Sequence, residues 1–70
     1  MDEFKECRVI RNEKEEKMRF YNIEEGDFIF VNGKPLKVTC DAHESGDATY
    51  NGMLLYAGEN ENGYFPEDLD

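Results

Sequence analysis

The residues of this chain with the widest chemical reach lie together in one stretch, CDAHESGDATYNG, residues 40–52. Cys40 and His43 stand at Cys-x-x-His spacing, which can begin a zinc site. A closed site needs four ligands, and the sequence supplies one further cysteine, Cys7, and no second histidine. The same pair could serve as a Cys-His nucleophile, which requires both side chains within hydrogen-bond reach inside a cleft. Asp41, Ser45 and Gly46 fall at the first, fifth and sixth positions of a calcium loop. The third position is His43 and the twelfth is Gly52, where a hard cation needs an oxygen ligand and a bidentate glutamate. The sequence has no glycine-rich phosphate loop and no activated-serine turn. We expect no catalytic residue, no metal and no cofactor. The chain does not read as an enzyme.

The elements that position these residues are most legible at DFIFVNGKPLKV, residues 27–38. Asn32 and Gly33 both tolerate positive φ and predict a two-residue hairpin turn. Pro35 cannot donate to a ladder, so it belongs at the start of the second strand or on an edge. EEGD at 24–27 reads as the turn leading in. Upstream, ECRVIR and KMRFYNI flank the polar stretch NEKEE and suggest a second hairpin. The alternative there is a helix over 2–18, because Phe4, Cys7 and Ile10 recur every third residue; it would leave 11–17 entirely polar. Downstream, MLLYA at 53–57 is a short strand, GENENG at 58–63 a turn, and Tyr64-Phe65 a returning strand. Residues 40–52 read as a long loop. The predicted fold is mainly β, a small antiparallel sheet or open barrel built from hairpins with long acidic loops. An α+β fold with an N-terminal helix is the alternative.

Seventy residues form one small domain, 1–70, whose core is expected to supply only about 3–5 kcal/mol. Leu, Ile, Val and Phe number 15, near the composition at which a charged chain becomes disordered; five Phe and four Tyr argue for a folded domain with loosely held ends. A homodimer would add buried surface. The opening MDEFKECRVI has charges where a secretory signal needs an apolar run, and no stretch approaches membrane-spanning length. Two cysteines suit a reducing cytosol, so the expected location is cytoplasmic.

Charge is the strongest signal. Residues 1–21 hold six acids and six bases; residues 22–70 hold eleven acids and two bases, Lys34 and Lys37, and so carry the whole net charge of −9. No Lys or Arg follows Lys37. A one-signed field of this kind steers cationic partners and repels nucleic acid and anionic membrane. Duplex DNA shows one negative charge per about 1.7 Å of axis, and basic proteins track it with Lys and Arg. On an extended segment, same-face residues repeat every ~6.7 Å, so Glu59 and Glu61 could form an anionic row. The candidate partner-binding acids are Asp41, Glu44, Asp47, Glu59, Glu61, Glu67 and Asp68, with Glu24, Glu25 and Asp27 as acids that also serve a turn. The expected partner is a basic DNA-binding protein, with no direct contact to nucleic acid or membrane.

Two resemblances attach to these residues. NGYFPEDL is similar to the Gly-x-Phe-Pro stretch near the end of SH3 domains, with Gly63, Phe65 and Pro66 in the matching positions. It implies an SH3-like barrel and an interaction module; in that family the Pro helps line a peptide groove. The chain departs from the family in having no Trp and no groove tyrosine. The small size, the acidic 41–70 segment and the aromatic content resemble phage-encoded acidic DNA-mimic proteins. The balance is most similar to the small Bacillus-phage inhibitors of the histone-like nucleoid protein HU. That resemblance implies occupation of the HU DNA-binding saddle and arms in the host cytoplasm. Other mimics of this kind target restriction enzymes, RNA polymerase or CRISPR nucleases, and the sequence does not choose among them.

Overall fold

The structure is a computed structural model that describes residues 5–46 and 52–70. Among the described residues there is no α-helix. One open antiparallel sheet is built from β1 (Glu6–Arg11), β2 (Lys14–Arg19), β3 (Phe28–Val31), β4 (Lys34–Glu44), β5 (Met53–Ala57) and β6 (Asn62–Tyr64), in the order β2-β1-β3-β4-β5-β6. Two short 3-10 turns, Phe20–Asn22 and Pro66–Asp68, complete it. The helix considered for 2–18 is not formed over the described part of that span, which is strand. Cys7 and Val9 are buried while Glu6 and Arg8 are exposed, which is the period of two of a half-buried strand.

The β1–β2 hairpin turns on Asn12 and Glu13, with φ of 53° and 65° between the paired Arg11 and Lys14. The polar run Lys14–Glu16, predicted to lie between the arms, is instead strand. β2 is an edge strand, and charged side chains there keep foreign strands from adding. The predicted Asn32-Gly33 turn joins Val31 to Lys34, with φ of 52° and 78°. Pro35 faces Phe30 across the ladder. In a two-residue hairpin that pair is a non-hydrogen-bonded one, so the missing N–H takes nothing from β3.

β4 overturns the loop predicted from residue 40, because the strand runs on to Glu44. Its pairing with β5 slips twice, between Val38 and Cys40 and between Cys40 and His43. At each slip β4 advances one residue more than its partner. Such bulges bend a strand and raise its twist, and here they carry β4 from one half of the sheet to the other. They also erase the clean alternation that would have announced a strand.

The curled sheet encloses Cys7, Val9, Phe20, Ile23, Ile29, Val38, Leu55, Ala57 and Leu69. Leu69 brings the C-terminal segment into the core, contrary to the loosely held end expected there. β1 pairs with β3 only at Ile29 and Phe28, which leaves the next edge of β3 open. Asp70 fills it: its N–H donates to Phe30 O at 2.9 Å, and its carboxylate accepts the Gly33 N–H at 2.8 Å. Lys5 Nζ donates to the Leu69 and Pro66 carbonyls at 2.6 and 3.3 Å.

Candidate binding surface

The candidate acids fall into three groups, and the fold gives them unequal freedom. The first surrounds the entry to β3. Asp27 is only 4% exposed. Its two oxygens accept a fork of bonds from Arg11, Nε at 2.9 Å and Nη2 at 2.7 Å, and the Glu24 N–H adds a third at 2.8 Å. Burial alone would raise the carboxyl pKa. The Arg11 bonds, the Glu24 N–H and the Arg11 charge outweigh it and hold Asp27 below the usual carboxylate range. In turn, the bond to Asp27 holds the guanidinium proton more firmly still. Asp27 is therefore a buried structural anion and not part of a partner-binding surface. Glu24 and Glu25 are exposed beside it.

Asp41 stands next to them, and its Oδ1 accepts the Glu25 N–H at 2.6 Å. Asp41 is exposed but half committed to holding that turn against β4. Glu44 is exposed at the end of β4. Asp47 lies outside the described residues.

The second group is Glu59 and Glu61, both exposed. The extended anionic row expected of them does not form. Glu61 has a φ of 51° and donates its N–H to Gly58 O at 3.0 Å, so residues 58–61 make a tight turn between β5 and β6. This turn lies against the start of β4, where the Gly58 N–H donates to Lys37 O at 2.9 Å. Between them runs an open groove of roughly 670 Å³, floored by Leu36 and Tyr64 and rimmed by Pro35, Glu59, Asn60 and Glu61. Thr39 Oγ1 in its wall is buried without a hydrogen-bond partner. The uncharged residues of this groove carry no pattern a linear reading could find, because they meet only through the strand order.

The third group, Glu67 and Asp68, is exposed on the second 3-10 turn. Asp68 Oδ2 accepts the Phe65 N–H at 2.9 Å and so caps that turn. Pro66 is fully buried, so it does not line a peptide groove as the SH3 resemblance implies.

The Cys40–His43 pair is not set up for nucleophilic chemistry. His43 Nδ1 lies 2.7 Å from the Asp41 carbonyl and 4.0 Å from Cys40 Sγ. A carbonyl only accepts, so Nδ1 carries the proton and cannot take one from the thiol. Cys7 is a core thiol: burial pushes its pKa up, against a smaller opposing pull from Lys5. No group of three or more Cys, His, Asp and Glu is placed to hold a metal among the described residues. No helix among the described residues is long and apolar enough to cross a membrane.

Comparison of the chain with protein-family models, curated proteins and solved structures finds no match to any of them.

Proposed function

We propose that this chain is an acidic binding protein that occupies the DNA-binding surface of a basic host protein, with the nucleoid protein HU as the first candidate. It would act as a phage-encoded DNA mimic in the host cytoplasm. The observation that carries the reading is the disposition of charge after Lys37. Glu44, Glu59, Glu61 and Glu67 are all exposed, and no ion pair engages any of them among the described residues. Carboxylates left without internal partners keep their full field for an approaching cation. By contrast, the amino-terminal acids are offset nearby: Glu15 lies 3.1 Å from Arg8, and Glu13 and Glu16 adjoin Lys14 and Lys17 in sequence.

Labelled duplex DNA bound to purified HU, titrated with this protein, tests the proposal through fluorescence anisotropy. Stoichiometric release of the duplex is expected. An unchanged anisotropy, with binding to HU shown separately, would mean that the acids serve an interaction module of another purpose. Release from a different nucleic-acid-binding protein, but not from HU, would move the target within the same class.

A further inference from the structure

We infer that the groove between the start of β4 and the β5–β6 turn seats an extended segment of the partner, with an arginine held between Glu59 and Glu61 and a neighbouring apolar side chain on Leu36 and Tyr64. The inference rests on the proposed function and gives it a location.

The backbone comes first. β5 pairs with β4 only from Val38 onward, so among the described residues the edge of β4 before that residue has β3 on one side and no strand on the other. Strand alternation turns the backbone groups of Pro35 and Lys37 toward this free edge. The Lys37 carbonyl is taken by the Gly58 N–H. That leaves the Pro35 carbonyl as an acceptor and the Lys37 N–H as a donor on this edge, since proline has no N–H.

The side chains tip the balance toward acceptors. Glu59 and Glu61 are pure acceptors when ionised, and Lys37 is the single cation in the lining. A groove with a surplus of acceptors calls for a ligand rich in donors. Arginine suits it better than lysine, because its planar fork offers five donors and meets a carboxylate through two parallel bonds. The floor supplies the remainder: Leu36 and Tyr64 are half-buried against the core, with apolar surface still open. The turn already packs on that floor, since a Cβ on Gly58 would lie in ordinary contact with Leu36 Cδ2 at 3.8 Å, and glycine suits the position through its φ of 87°. An open channel beside an unpaired strand edge admits an extended chain, a familiar mode of peptide recognition.

The test compares two variants that remove equal charge. Glu59→Gln with Glu61→Gln empties the groove of its carboxylates; Glu24→Gln with Glu25→Gln removes two exposed acids that lie on the β3 side of β4, outside the groove lining. Both pairs are exposed and outside the core, and circular dichroism checks that each variant is folded. We expect the first to weaken HU binding by about tenfold or more, mainly through faster dissociation, and the second by about threefold or less, mainly through slower association. Equal losses would overturn the groove and leave the proposed function standing, as the work of a diffuse field. If the unaltered protein does not bind HU, the HU assignment fails on its own. The groove is then decided by a capped Gly-Leu-Arg-Leu-Gly peptide titrated into 15N-labelled protein. Amide shifts concentrated at Leu36, Gly58, Asn60 and Tyr64, and lost when the peptide Arg is replaced by Glu, support it. Shifts elsewhere, or none, overturn it.

Discussion

Asp27 illustrates how a single residue changes role once its burial is known. In the sequence it is one more acid in an acidic stretch, and nothing in EEGD distinguishes it from Glu24 or Glu25. The fold gives it Arg11, sixteen residues away, as a bidentate partner. Such pairing is invisible to local pattern because it depends on strand order. Removing one member of a buried pair leaves the other uncompensated, which costs roughly 3–5 kcal/mol. Arg11 is partly exposed, so we expect Asp27→Asn to fall near the lower bound, still comparable with the stability of a domain this small. A urea titration reads this directly. The same pair sets a pH dependence. The folded pKa of Asp27 is depressed, so its contribution is complete above the unfolded value of about 3.9. It is lost as pH falls through the lower folded value. The acid limb of the stability profile should therefore flatten in Asp27→Asn, measured by thermal unfolding between neutral pH and pH about 2.

At the scale of elements, the turns carry the clearest expectations. Asn32-Gly33 was legible because few residue pairs accept two positive φ angles, and the structure uses both. Nothing lies within 4 Å of a Cβ built on Gly33, so Gly33→Val should cost conformational strain and not a clash, about 1–2 kcal/mol. The first hairpin makes the same turn with Glu13 in the second position, a residue ill suited to it. Glu13→Gly should raise the melting temperature, by relief of strain worth about 1 kcal/mol less the entropy glycine adds to the unfolded chain. An unchanged melting temperature in both variants would mean that neither turn has the geometry described. The terminal segment was harder to read. Leu69 is one apolar residue among acids, yet it is 3% exposed in the core. Leu69→Ala should destabilise by about 2–4 kcal/mol, against less than about 1.5 for Leu69→Met. Residues 40–44 were hidden for the opposite reason: their side chains look polar, and the bulges scramble what alternation remains.

At the scale of the whole molecule, the division of charge seen in the sequence persists but is refined. Of the ten candidate acids, Asp27 is buried, Asp41 and Asp68 each spend an oxygen on a backbone N–H, and Asp47 lies outside the described residues. The six that remain are glutamates, whose longer side chains reach past the backbone groups that capture aspartates. They are spread over the turns and strand ends of one open sheet; Glu59 and Glu61 share the larger groove, and Glu25 borders a smaller hollow with Asp41. Composition could disclose the field but not its focus. Titration calorimetry of this protein into purified HU, at about 50 and 200 mM salt, tests the central claim most directly. Saturable binding is expected at the lower salt, with an affinity that falls by about tenfold or more at the higher, since charge steering at physiological ionic strength decays over about 8 Å. No heat of binding at low salt, or an affinity indifferent to salt, would contradict it.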